Sequence, residues 1–110
     1  MSGNTSTDDV LFEVMTPLGF RVRVSRSYWK LIITVKHPAM AGRELDVKKI
    51  LEKPDEIRLS RSDPKVYLFY SSQRKGRWVC VVTKRLNGEG FLITTYLTDT
   101  IKEGVRIWPK

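Results

Sequence analysis

Between Ile57 and Thr98 the chain alternates short strand-prone runs with turn signals, and no other feature limits its fold so strongly. Residues 65–71, 77–84 and 91–98 are rich in β-branched and aromatic side chains, which suit a pleated, half-buried surface. A shorter run, 57–60, precedes them. Asn87-Gly88-Glu89-Gly90 carries the residues that tolerate the backbone of a tight hairpin, so the last two runs are expected to be antiparallel neighbours. Ser72 to Gly76 reads as a basic, polar loop. Alternation along 91–98 puts Leu92, Thr94, Tyr96 and Thr98 on one face. It puts Phe91, Ile93, Thr95 and Leu97 on the other.

Upstream, residues 10–14 and 20–24 are two extended runs. Phe20, Val22 and Val24 alternate with Arg21 and Arg23 at a period of two. Thr16-Pro17-Leu18-Gly19 between them has the proline and glycine of a turn, which predicts a hairpin. Ser25 or Ser27 then offers a helix N-cap. Trp29, Ile32, Ile33 and Lys36 share a helical face, and Pro38 ends the element at His37. A second helix is expected over 40–53. Met40, Val47, Ile50 and Leu51 form its apolar stripe, Glu44 and Lys48 lie on its solvent side, and Pro54 stops it. Asp99-Thr100 is expected to cap one further turn, broken by Gly104. Val105, Ile107 and Trp108 would then pack the tail back onto the fold.

The expected architecture is α+β. An N-terminal hairpin and two helices precede an antiparallel sheet of three to four strands. The helices would cover one face of the sheet and leave the other for function. The 110 residues suit one domain, spanning 10–110, with a single core. Residues 1–9 are polar, lack the order of a signal peptide, and read as a short disordered leader. No run approaches the ~20 apolar residues of a membrane span. A cytoplasmic protein without membrane association is expected.

Composition narrows the chemistry. Cys80 is the only cysteine, so it forms no internal disulfide and begins no cysteine-based zinc site. Among Val79, Val81 and Val82 it reads as a small hydrophobe. One histidine and one cysteine argue against a transition-metal enzyme, and no cofactor is expected. Twenty Lys and Arg against twelve Asp and Glu give +8. A field of that sign attracts polyanions. Nucleic acid is the commonest such partner, and an acidic inhibitor protein is another.

Cleaving RNA without a metal uses the ribose 2′-hydroxyl as nucleophile. It needs a proton acceptor, a proton donor and positive charge near the phosphate. His37 is the obvious titrating group. Arg58 and Arg61 bracket Ser60, and arginine grips two phosphate oxygens at once. Arg74, Lys75 and Arg77 add charge in the basic loop. Lys84 ends a strand whose Trp78, Cys80 and Val82 share its face. Tyr70 could stack on a base or hydrogen-bond a phosphate, and Thr94 and Tyr96 lie on the more polar face of the last strand. Each also has a plain reading: solvated surface charge for the arginines, a rim position for Lys84, ordinary strand residues for the threonine and tyrosines.

An ordered set of residues resembles a known family. It runs through Trp29, Lys36-His37-Pro38, Met40, Gly42 and Glu44. It continues through Pro54-Asp55, Ile57, Ser60-Arg61, Asp63-Pro64, Val66, Leu68 and Tyr70, then Val82 and Lys84. It ends with Asn87-Gly88, Gly90-Phe91-Leu92-Ile93-Thr94, Tyr96, Thr98-Asp99, Ile101-Lys102, Gly104 and Ile107-Trp108. This set is similar to the phage-type branch of the barnase/EndoU/colicin/RelE-like (BECR) nucleases. Those are small predicted endoribonucleases, also seen as toxin domains. The resemblance implies a metal-independent site across an antiparallel sheet, formed by His37, Ser60 or Arg61, Tyr70, Lys84 and Thr94 to Tyr96. The chain departs from the pattern at Thr95, where a small apolar residue is expected. It also has no second histidine, so base duty would fall to Lys84, Glu44 or Tyr70. The sequence thus points to an endoribonuclease, with a toxin of a toxin–antitoxin pair as one form. Its competitors are a noncatalytic RNA-binding module and an interaction protein receiving an acidic partner.

Overall fold

The computed structural model describes residues 9–101 and 103–110. Most of the expected leader lies outside the described residues. Asp9 is tied to the fold, its carbonyl accepting from the Arg26 N–H at 2.9 Å.

The hairpin forms as its alternation demands. β1 (Val10–Met15) pairs antiparallel with β2 (Arg21–Ser25), with Val14 opposite Val22. Gly19, at φ +87°, supplies the left-handed residue of the turn. Ser25 then caps α1 (Arg26–Leu31), its hydroxyl accepting from the Tyr28 N–H at 3.2 Å. The helix widens into a π-helical segment, Ile32–Lys36, in which the His37 N–H donates to the Ile32 carbonyl at 2.7 Å. Pro38 ends it there, as its restriction on the preceding residue predicts.

The second helix is shorter than expected. α2 spans Glu44–Glu52, and Val47, Ile50 and Leu51 are buried as the stripe requires. Met40 is fully buried too, but from a separate 3-10 turn, Pro38–Met40. Gly42 sits at φ +83°, a conformation no α-helix accommodates, so the two segments cannot merge.

The sheet is larger than the expected antiparallel meander. It has seven strands among the described residues, in the order β1-β2-β6-β5-β4-β3-β7, and it is mixed. β3 (Glu56–Leu59), β4 (Val66–Arg74), β5 (Arg77–Leu86) and β6 (Glu89–Thr98) are antiparallel neighbours. The hairpin joins through two parallel pairs, Val22 with Gly90 and Arg23 with Phe91. The tail becomes β7 (Val105–Trp108), antiparallel to β3. Three local expectations are corrected with it. Ser72 to Gly76 is not a loop: β4 and β5 run on to Arg74 and Arg77, leaving only Lys75-Gly76 to turn. Asp99 and Thr100 bend around the Thr98 hydroxyl and cap no helical turn. Lys102 lies outside the described residues.

The third correction concerns β6. Its register shifts opposite Val82 and Thr83, so that Ile93 is an extra residue. Such a bulge reverses the alternation beyond it. Leu92 is therefore buried with Thr95 on the helix side, opposite Thr83, while Phe91 lies opposite Lys84 on the other face. Thr94, Tyr96 and Thr98 stay on that other face, as expected.

The helix side holds the main core. Phe20, Ile57, Phe69, Val79 and Val81 lie beneath Trp29, Ile32, Met40, Val47 and Leu51. Burying each large apolar side chain contributes about 1.5–3 kcal/mol. Among the described residues no helix is long and apolar enough to cross a membrane.

Candidate functional site

Among the described residues no helix covers the opposite face of the sheet. Its centre is a second, smaller cluster: Leu68, Tyr70 and Cys80 are buried beneath Trp78, Val82, Tyr96 and Ile101. Strand parity explains it. Tyr70 stands opposite Cys80, and Cys80 opposite Tyr96, so three consecutive strands place their polar tips side by side. The two hydroxyls and the thiol interact through hydrogen bonds. Burial, then the neighbouring thiol, drives both tyrosine hydroxyls well above their ordinary range. Burial likewise pushes the Cys80 thiol up to about 11. At neutral pH all three are protonated, so none is a base or a nucleophile.

That arrangement sorts the expected catalytic residues. Tyr70 is 1% exposed and cannot stack on a base or reach a phosphate. Tyr96 is half-buried, and the His37 ring packs against it with centroids 5.6 Å apart. The π-helical segment and the Pro38 turn hold His37 there, at the margin of β6 beyond the point where β2 has parted from it. Thr94 lies on the same face, opposite Val82, and its hydroxyl oxygen is buried with no hydrogen-bond partner among the described residues.

Lys84 is not brought to His37. It lies four residues along β5 from Cys80, the residue opposite Tyr96, or about 13 Å at ~3.3 Å per residue. Its ammonium pairs with Asp63 at 3.3 Å. The Asp63 carboxyl is held below its ordinary value, first by the Lys65 N–H and then by Lys84.

The cations divide similarly. Arg58 is on the open face but committed. It contacts Glu56 at 2.6 Å and the Gly104 carbonyl at 3.1 Å, and so clamps the tail against β3. Ser60 bonds Ser62 in the β3–β4 loop, where Arg61 is exposed. Arg74 and Arg77 face each other across the Lys75-Gly76 turn, and among the described residues no ion pair engages either one. Like charges directly opposite destabilise a hairpin, so this pairing is not explained by stability. Both line a cleft of about 520 Å³ with Gln73, Leu97 and Arg43. Arg43, unremarked in the sequence, precedes α2. It reaches Gln73 at 3.3 Å, and Asp46 is its one ion-pair partner among the described residues, at 3.7 Å. Leu97 stands opposite Val79 and packs on the main core, so the arginine cleft opens on the helix side of the sheet, on the face opposite Tyr96.

Three features escaped the sequence reading: the Tyr70–Cys80–Tyr96 cluster, Arg43 in the cleft, and outward-facing Phe91. The first two need the strand register and the placement of α2, which no local pattern encodes. Among the described residues no group of three or more His, Cys, Asp or Glu is placed to hold a metal ion. No family model matches the chain, and comparison with the curated proteins and with the solved structures also gave no match.

Proposed function

We propose that this protein is a metal-independent endoribonuclease acting on single-stranded RNA. One observation carries the reading: the only histidine packs against Tyr96 at the rim of the sheet face that no described helix covers, and Leu97, the next residue of β6, lines a three-arginine cleft on the other side of that rim. Histidine donates and accepts protons near neutrality. Arginines grip phosphate and stabilise the charge that grows on it in the transition state. The resemblance to BECR nucleases supports the same reading.

The chemistry divides as follows. The ribose 2′-oxygen attacks the adjacent phosphorus and its proton passes to a base or to solvent. The bond from phosphorus to the 5′-oxygen breaks, leaving a 2′,3′-cyclic phosphate and a 5′-hydroxyl. His37 gives the departing 5′-oxygen its proton. Arg43, Arg74 and Arg77 hold the phosphate. Neutral Tyr96 contributes its ring, which fixes the imidazole. Lys84, paired to Asp63 and distant from His37, stands outside the proton transfer.

The second reading is a noncatalytic RNA-binding module. The separation of Lys84 from His37 favours it, because no second proton-transfer group stands beside the histidine. Incubating wild-type protein and His37→Ala with single-stranded RNA in EDTA separates the two. The proposal predicts cyclic-phosphate ends from wild type only, and intact DNA of the same sequence. Tight RNA binding with no cleavage would select the second reading.

A further inference from the structure

The β-bulge at Ile93 does more than reshape a strand. Strict alternation would bury Phe91 and expose Leu92. The extra residue reverses them, leaving Leu92 4% exposed in the core and Phe91 40% exposed on the open face. A lone exposed aromatic is ordinary. This one is not alone: its ladder partners on that face are Arg23 of β2 on one side and Lys84 of β5 on the other. The ladder between β2 and β6 stops at Arg23 and Phe91, and a cleft of about 440 Å³ opens where the strands part. Tyr28 walls it, its hydroxyl donating to the Ile93 carbonyl at 2.6 Å, and Ser25 lines it from α1's N-cap.

We infer that Phe91 is a base-stacking platform for single-stranded RNA, with Arg23 and Lys84 gripping the phosphates on either side of the stacked base. The inference rests on the RNA reading above and deepens it. Aromatic faces between cations hold single strands in this way, because every base has a π-face and every linkage a charge. Both cations have acid partners: Glu13 at 2.8 Å and Glu89 at 3.9 Å for Arg23, Asp63 at 3.3 Å for Lys84. These pairs are solvent-exposed and worth little, so exchange for a phosphate costs little. Phe91 lies five residues from Tyr96 along β6, so the stacked base would sit over the strand whose Tyr96 the His37 ring packs against, a few nucleotides from the cut. It would select the cleavage site.

The test uses the full chain and a 2′-O-methyl RNA oligonucleotide, which cannot be cut, carrying 2-aminopurine at successive positions. Wild type should quench the fluorophore at one position. Phe91→Leu, which keeps an apolar side chain, should lose that quenching and bind at least about 5-fold more weakly. Phe91→Trp should restore both. Arg23→Gln should flatten the salt dependence by roughly 0.7 in log–log slope, which Phe91→Leu should leave unchanged. Equal affinity and quenching for wild type and Phe91→Leu would overturn the platform while leaving the RNA reading standing. It would return Phe91 to a surface hydrophobe or a contact for a protein. Failure of wild type to bind the RNA at all would overturn both.

Discussion

The two faces of the sheet are built from the same strands and treat their polar groups in opposite ways. The helix side is sealed by α1, the π-helical segment and α2, and the threonines it buries are paired, although the Trp29 Nε1–H is buried there with no partner among the described residues. Thr83 and Thr95 are fully buried there, and Thr95 donates to the Cys80 carbonyl at 2.9 Å. The open side has no helix among the described residues, yet it buries the Tyr70 ring and the Cys80 thiol beneath half-buried Tyr96 and Ile101, and it carries Arg23, Arg58 and Lys84 elsewhere on the same face. A face built for packing alone would not put tyrosine beside cysteine beside tyrosine. One side carries most of the stability, and the other is the face to which the proposal assigns RNA.

The largest effect should come from the sealed side. Phe69→Ala removes a fully buried ring from the main core and should cost about 3–5 kcal/mol, read as a lower denaturant midpoint. On the open rim, His37→Ala should cut RNA cleavage about 10²-fold. Because the ring is only half-buried, the melting temperature should stay nearly unchanged. A large loss of stability there would make His37 a structural residue and erase the contrast.

Gly104→Ala probes the seam between the faces. Gly104 sits at φ +79°, and an added Cβ would lie 2.6 Å from the Leu59 carbonyl oxygen. Backbone must move, loosening β7 and the Arg58 clamp. More than about 1 kcal/mol should be lost.

Alkaline pH tests the buried polar cluster. The folded state holds the Cys80 proton to about 11, above the thiol's ordinary 9.0, and both tyrosines are raised too. Between those values the unfolded chain binds fewer protons than the folded one. Stability is therefore full below about pH 9 and falls as pH rises toward 11. Cys80→Ala should flatten that fall in denaturant titrations. The smallest effect is expected for Tyr70→Phe, about 1 kcal/mol, since the ring's packing remains and only a hydrogen-bonding hydroxyl goes.

Much of this contrast was legible in the sequence wherever a local pattern sets the structure. Phe20, Val22 and Val24 against Arg21 and Arg23 gave the hairpin and its buried side. Val47, Ile50 and Leu51 gave the inward face of α2. Asn87 and Gly88, at φ +53° and +83°, gave the β5–β6 turn. What escaped depends on partners distant in sequence. Nothing local tells β2 to lie parallel to β6, or Val105 to Trp108 to become a strand on β3. The Ile93 bulge escaped because alternation assumes an unbroken register, and one extra residue exchanges the faces of Phe91 and Leu92. For the candidate site, Thr94 and Tyr96 share one face, as the alternation of β6 implies. Tyr70 lies on that face too, but buried, because Ile101 and Tyr96 pack over it.

RNA is proposed to lie on the open face. Titrating isotopically labelled protein with an uncleavable 2′-O-methyl RNA and following amide and side-chain NMR shifts tests it most directly. The account predicts shifts concentrated at His37, Phe91, Thr94, Tyr96 and the Arg74–Arg77 turn, with α2's outward residues Leu45, Lys49 and Glu52 unmoved. Shifts gathered on α2, with the open face silent, would contradict it.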